Sequence, residues 1–461
     1  MAKQSLPIHS YRRFTPANAA RVVNMMAEQM PPEAKSPVSL FATPGIRTFA
    51  TPNLGKGRGL HVRRNRLYAL CGDQYVRIDG GGQVTTLGTI HGDTRGYFAN
   101  NGTQTVIVSD GVGFVESNNV VTPITDPDFL IRHVGPCGLI DSYVMFIDIG
   151  SQQFIGSALG DATNYAALDY SSADGAPDNL IGLIVDHRQV FLMGQTSCEL
   201  WYDDGGSGFP FSRNAGGFIE IGCLAPRSAV KADNSIWWLA NDLTFRRLSG
   251  NTGVRVSHHG VEQALAGYAN PADCEGLTFT HEGHVQVAFN FITDNATWVY
   301  DITTQEWHER DSFPGLVWRG VDAVSLNGKT YVQDRITGSV GILDSTVATE
   351  WGSSVRREWT YGSVYHNNLR VSHNMLEVIM QAGVGTITGG DPKILLQWSD
   401  DGGQKWHNGE DNSLGLYGQS KARITSESLG ESRDRVYRRV ITDPVMVRVL
   451  DSQLDYTLGS N

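Results

Sequence analysis

The sequence predicts an all-β protein: β-propeller-like repeats of about six to seven blades, a C-terminal antiparallel β-domain and an extended N-terminal arm. Three observations carry this. Runs of β-branched and aromatic residues begin near Leu67, Thr105, Tyr143, Gln189, Ile236, Val285 and Thr330, spaced by 38 to 49 residues, which is the period of a four-stranded blade. Most are followed by a Gly, Asn or Asp break and a second short strand, as in 67–70, Gly72-Asp73, then 75–78. The 52 glycines are spread along all 461 residues, about 11% against a usual ~7%, as expected of many short strands joined by tight turns. Plain sandwich domains would space strands at ~8–12 residues without the longer beat.

Taken in order, residues 1–60 form the arm. Thr15-Pro16 has the chemistry of a helix start. Ala19, Val22, Val23, Met26 and Met30 fall at helical spacing before Pro31-Pro32, so a short helix is expected there. Pro37, Thr43-Pro44-Gly45 and Thr51-Pro52 then punctuate an extended stretch. The propeller occupies 61–354. Its clearest hairpin is 296–310, where Thr297, Trp298, Val299 and Tyr300 suit a half-buried pleated surface. A polar break at 301–305 reverses the chain toward Trp307. One or two helical turns are expected at 261–266, stopped by Asn270-Pro271, and 171–179 reads as a loop between blades. Near 355 the beat stops, and 355–461 suits a compact sandwich-like domain. Strands are expected at 375–379, 394–398 and within 436–449, with a turn at 388–392. Lys421, Arg423, Arg433, Arg435, Arg438 and Arg439 cluster there. They read either as a solvated face balanced by Glu427, Glu431 and Asp434 or as a dock for an anionic partner.

Net charge is −11, from 37 basic and 48 acidic residues. This argues against a duplex reader, whose affinity comes from Lys and Arg on phosphates, while permitting a surface past which DNA slides. Cys71, Cys137, Cys198, Cys223 and Cys274 lie far apart in no CxxC pair and are expected as buried thiols of a reducing compartment. No signal-peptide core follows Lys3 and no run approaches ~18 apolar residues. A soluble protein without membrane insertion of its own is therefore expected.

Chemistry-bearing motifs are sparse. Ser399-Asp400-Asp401-Gly402-Gly403-Gln404-Lys405-Trp406 resembles the Asp-box of sialidase-type propellers. Physically it is a turn device, with Asp401 accepting backbone N–H groups, Gly403 at positive φ and Trp406 packed beneath. Glycosidases need two carboxylates set across a bond or, in sialidases, a Tyr nucleophile. No pair among Asp203, Asp204, Glu220, Asp301, Glu306 and Glu309 is singled out by spacing. His281-Glu282-Gly283-His284 lacks zincin spacing and a third ligand, and His258-His259 is no stronger. Gly80-Gly81-Gly82 leads into a strand, not a helix that could hold phosphate. No nucleophile elbow or activated thiol is present. Catalytic, cofactor-binding and metal residues are therefore expected to be none. A glycan-binding or glycan-degrading propeller is the alternative that the Asp-box-like turn keeps open.

Several segments in order resemble the packaged-DNA stabilisation family of short-tailed bacteriophages, the tail-hub or nozzle proteins. They begin with 21–28 and Ala42-Thr43-Pro44-Gly45-Ile46, then Gly57-Arg58-Gly59-Leu60 and 67–72. The likeness is strongest from Gly194 to Cys223, through Glu199, Trp201, Phe209-Pro210-Phe211, Arg213, Gly216-Gly217 and Ile219-Glu220. It continues through 236–239, 255–257, Val261-Glu262 and 297–310 to Ser432-Arg433-Asp434-Arg435-Val436 and Ile441-Thr442-Asp443-Pro444-Val445. Ser257-His258-His259-Gly260 departs from the pattern. The resemblance implies a non-enzymatic virion tail protein, assembled in the host cytoplasm, that forms a hexameric ring. Such a ring closes the DNA-filled head, contacts a portal-adaptor protein, anchors tail spikes or fibres and a tail needle or plug, and passes double-stranded DNA through its lumen at ejection.

Overall fold

Each of the seven apolar runs becomes the second strand of a four-stranded antiparallel sheet. In chain order these strands are Arg66–Cys71, Gln104–Ser109, Tyr143–Asp148, Gln189–Gly194, Ser235–Leu239, His284–Phe291 and Lys329–Asp334. A computed structural model describes residues 2–6, 9–11, 19–34, 36–206, 208–385, 390–419 and 423–459. Its blades cover 57–89, 97–123, 134–172, 180–219, 230–255, 275–309 and 320–344, the last completed by Gly45–Ala50. The blades pack side by side around an axis, and the seventh meets the first, so the ring closes. Closure is made by chain ends: Gly45–Ala50 runs antiparallel to Val340–Asp344 with Ile342 opposite Arg47. Adjacent blades bury apolar faces against each other. An example is the core of Trp237, Phe245, Phe289, Trp298 and Trp307 between the fifth and sixth blades.

The fold is all-β, a propeller with a C-terminal sandwich. Helix is confined to Pro127–Leu130 and His259–Ala266 among the described residues, apart from two 3-10 turns. The second helix matches the expectation for 261–266. The His258 ring accepts N–H bonds from Gly260 and Val261, capping its start. Of the loop expected at 171–179, residues 173–179 join the third and fourth blades, while Ser171 and Ser172 pair with Phe154 and Gln153 in the outer strand of the third.

In the sandwich, one sheet carries Met25–Gln29, Val38–Ala42, Arg448–Leu458, Val371–Met380 and Ile424–Glu427. The facing sheet carries Arg21–Val23, Arg357–Thr360, Asp434–Ile441, Lys393–Ser399 and His407–Ser413. The core between them includes Val22, Met25, Leu40, Trp359, Leu376, Leu396, Tyr437 and Leu454. The strands expected at 375–379, 394–398 and within 436–449 are present. The turn expected at 388–392 begins outside the described residues.

Two expectations about residues 1–60 are corrected. The helix-spaced apolar residues form strands Arg21–Val23 and Met25–Gln29; Thr15 and Pro16 lie outside the described residues. The reason is Asn24, whose φ of 54° breaks the strand and moves the chain from one sheet of the sandwich to the other. Nor do these residues make an arm laid on a finished body. They supply strands to both sandwich sheets and the closing strand of the propeller, because each sheet lacks an edge that only this segment fills.

The C-terminal basic cluster is split: Arg423 and Arg433 are exposed, the latter donating to the Asn368 carbonyl, while Arg435 and Arg439 turn inward. Arg435 is buried on Asp400 and Arg439 is fully buried, donating to Asn412 and Ser426. Arg438 faces Gln397 and Glu358, and Arg423 pairs with Glu377. Lys421 lies outside the described residues. Strand alternation sends Arg435 and Arg439 inward, so the side chains that these two meet are Asp400, Asn412 and Ser426 and not the carboxylates of Glu427, Glu431 and Asp434 expected from sequence.

Candidate functional site

The hairpin of Ala296–Asp301 and Glu306–Glu309 closes through a turn held by Asp301. Its carboxylate accepts the Thr303 N–H at 2.9 Å and its carbonyl accepts the Gln305 N–H at 2.8 Å. Trp298 and Trp307 are buried with rings 6.3 Å apart, edge to face. The outer strand Glu306–Glu309 does not end the blade. It pairs in parallel with Arg21–Val23, Val23 opposite Glu309, and through that strand joins Arg357–Thr360 of the sandwich. One ten-stranded sheet therefore runs from the sixth blade into the sandwich.

Charged groups fasten this seam. Arg21 grips Glu309 with two bonds of 2.8 and 2.9 Å and reaches Glu358 at 3.3 Å. Burial disfavours its charge, but Glu309 and Glu358 outweigh that and hold its pKa above the ordinary value. Asn24 donates to the Asp311 and Arg356 carbonyls at 3.1 and 2.8 Å and to the Asp311 carboxylate, and accepts the Asp311 N–H at 3.0 Å. Burial raises the Asp311 pKa even though Arg356 lies 2.8 Å away. Further along, His284 sits between Asp301 at 2.6 Å, in its own blade, and Glu28 at 2.7 Å, in the sandwich. The Asp301 hydrogen bond, helped by Glu28, outweighs burial and raises the His284 pKa to about 9. Arg310 lies 4.0 Å over the Trp318 ring and pairs with buried Glu350 at 3.0 Å. Glu350 also accepts from Ser312 and the Trp318 indole. Each buried charge has a partner, which suits a permanent seam better than a reacting centre.

The second charged layer crosses the propeller axis. Arg95, in the loop before the second blade, donates to the Gly276 carbonyl of the sixth at 2.6 Å and pairs with Asp322 of the seventh at 3.0 Å. Arg227, before the fifth blade, stacks 4.7 Å over Tyr97 and bonds back to Thr94 and the Arg95 carbonyl. Arg335 of the seventh blade pairs with Glu275 of the sixth at 2.7 Å. Blades on opposite sides are thus tied across the axial channel, with an open cavity of about 540 Å³ on the side where the inner strands begin. Sequence gave no local signal for these residues, which are separated by as many as 240 positions. The seam residues Arg21, Asn24 and Glu28 were hidden by their helix-like spacing. The polar Asn24 among four apolar neighbours is the signal that would have marked a strand switch.

The other sequence candidates are dispersed. Asp203 and Asp204 cap the N–H groups of Gly205 and Gly206. Glu220 and Glu306 are exposed and Glu309 serves the seam. His281 and His284 flank the Glu282-Gly283 turn of a hairpin. His258 stacks on Tyr11 at 4.7 Å, while His259 lies beside Glu262. Gly80 to Gly82 sit in a turn held by Asp79. In the Asp-box-like turn, Asp401 accepts from the N–H groups of Gln404 and Lys405 at 3.0 and 2.9 Å, and Gly403 has φ of 95°. Trp406 carries the Arg438 guanidinium at 3.9 Å. This turn belongs to the sandwich and not to a blade. All five cysteines are free and buried, and burial pushes Cys71, Cys137 and Cys223 up to about 12. Among the described residues no three His, Cys, Asp or Glu groups gather to hold a metal, and no helix is long and apolar enough to cross a membrane.

Among solved structures the chain is similar to several at low identity. The designed Ika8 protein is 13% identical, covering 65% of this chain and 99% of that one, with a TM-score of 0.38. The N-terminal domain of Nup159 is 8% identical over 70% and 98%, TM-score 0.40. The Cps50 (Swd1) propeller domain of Myceliophteria thermophila is 9% identical over 64% and 98%, TM-score 0.42. No curated protein matches. The family model described as bacteriophage P22 Gp10, beta-propeller, matches residues 11–348, and that described as bacteriophage P22 Gp10, beta-sandwich, matches 357–456. With a propeller and a sandwich matched over nearly its whole length, the chain belongs to the bacteriophage P22 Gp10 family of packaged-DNA stabilisation proteins and is a phage structural protein.

Proposed function

We propose that the chain is the wall segment of a hexameric tail hub or nozzle, a non-enzymatic ring that closes the DNA-filled head below a portal-adaptor protein. In this reading the ring anchors tail spikes or fibres and a tail needle or plug, and passes double-stranded DNA through its lumen at ejection. The observation that carries it is the continuous sheet from the sixth blade into the sandwich. It fixes two lobes of different shape into one subunit, and a cyclic ring needs two different complementary faces per subunit. The axial layer of Arg95, Arg227, Asp322 and Glu275 adds a constraint: side chains span the propeller channel, so a conduit belongs between subunits and not along a propeller axis.

The test is electron microscopy of the purified full chain, alone and with its portal-adaptor partner. Sixfold rings with an open centre are expected. Monomers under both conditions would sink the hub reading.

A further inference from the structure

The cavity above the axial arginine layer has an unbalanced charge. Its walls hold five cationic and three acidic side chains, in a chain whose net charge is −11. Most of these charges are already committed. Lys56 pairs with Asp93 and Arg335 pairs with Glu275 at 2.7 Å. Arg95 pairs with Asp322 at 3.0 Å. Arg58 is 1% exposed and spends its donors on the carbonyls of Thr94, Gly72 and Ile90. Asp273 accepts the N–H groups of Ile292 and Thr293. The remainder is Arg227. It meets a carbonyl, a hydroxyl and the face of Tyr97, and among the described residues it forms no ion pair. Stacking on Tyr97 fixes the plane of its guanidinium, and a planar guanidinium offers parallel N–H donors to a carboxylate.

The rest of the cavity selects what carries that carboxylate. Pro226, Ala272 and Ile292 give it an accessible apolar flank. Its volume of about 540 Å³ lies within the ~300–1,000 Å³ range of ligand pockets and leaves a free inorganic ion loosely held. The Arg95–Asp322 bridge closes the floor, which excludes a nucleic acid threading the axis. We propose that this axial cavity binds a short, extended peptide segment of a partner protein, with an Asp or Glu carboxylate on Arg227 and neighbouring apolar side chains on Pro226 and Ile292. The proposal stands whether or not the chain forms a ring.

The test uses the full-length chain, fluorescently labelled, on an array of pentapeptides that place Asp or Glu among apolar residues, beside their Asn and Gln counterparts. Acidic peptides should bind, and the amide counterparts should bind at least about tenfold more weakly, the loss expected of a charge-assisted pair. Arg227→Gln should reduce binding about tenfold or more. Ala272→Trp, at an exposed position of the rim, fills the cavity without replacing a charged group and should do the same while leaving the melting temperature unchanged. Equal binding of acidic and amide peptides, absence of binding to every peptide, or carboxylate binding that survives both substitutions would overturn the proposal.

Discussion

Asn24 does two jobs with one residue, and substitutions can separate them. It holds a φ of 54°, which costs an L-residue with a Cβ about 1–2 kcal/mol and a glycine almost nothing. Its amide also fills four hydrogen bonds at the seam, whose loss leaves buried groups unpaired at about 1–3 kcal/mol. Asn24→Gly should therefore destabilise by about 2–3 kcal/mol and Asn24→Ala by about 1 kcal/mol more, read from denaturant melts. Equal costs would mean that the backbone geometry contributes nothing. His284 gives the seam a pH dependence with a definite sign. Its pKa is raised from 6.5 to about 9, so its contribution is complete below about pH 6.5 and is lost as pH rises through 9. A shift of that size corresponds to at most about 3 kcal/mol. Burial opposes the Asp301 charge, but the His284 bond holds that carboxyl below its ordinary 3.8, so its share is present above 3.8 and is lost only in stronger acid. Melting temperature should fall between pH 7 and 10, and His284→Gln should flatten that fall; an unchanged slope in the variant would remove His284 from the seam.

At the scale of elements, hairpins were legible and long-range edges were not. The beat of strands from Leu67 to Thr330 marks the second strand of every blade, because each blade repeats a buried central hairpin bounded by turn residues. The hairpin at 296–310 was legible for the same local reason, and Trp298→Ala should cost about 3–5 kcal/mol, as expected for truncating a large buried aromatic. A chemical melt showing less than 1 kcal/mol would displace Trp298 as a packing anchor. By contrast, Gly45–Ala50 closes a blade with a strand about 295 positions away, and Arg21–Val23 is placed by edges from two different lobes. Sequence spacing near those residues carries no trace of either partner. Arg439 likewise reads as a surface charge until the alternation of Asp434–Ile441 turns it into the core. Removal of residues 2–50 should thus open the seventh blade and strip strands from both sandwich sheets together. Limited proteolysis should cut both lobes of the truncated chain, whereas protection of either one would show that it closes without the N-terminal strands.

At the scale of the whole molecule, the proposed conduit sets an electrostatic demand that the chain meets by internal pairing. A wall that grips phosphates slows the duplex it must release, and each phosphate neutralised adds about 0.9 to the slope of log affinity against log salt. With 48 acidic against 37 basic residues, the chain has a deficit of cations, and many of its arginines are already committed. Arg21, Arg58, Arg95, Arg310, Arg335, Arg435 and Arg439 are tied to carboxylates, carbonyls or hydroxyls within the fold. The assembled protein should accordingly bind duplex DNA more weakly than about 10⁻⁴ M at physiological salt, the loose end of ordinary non-specific binding, with a log–log salt slope no steeper than about −2. Fluorescence anisotropy of a labelled duplex across a salt series measures both. A slope steeper than about −4 would mean several cations on the DNA path. Arg66 and Arg77, which line one cavity where the first and seventh blades meet and form no ion pair among the described residues, would be the first to replace with glutamine. Should those replacements flatten the slope, the lumen would run past that edge of the propeller and the wall would be a brake on DNA.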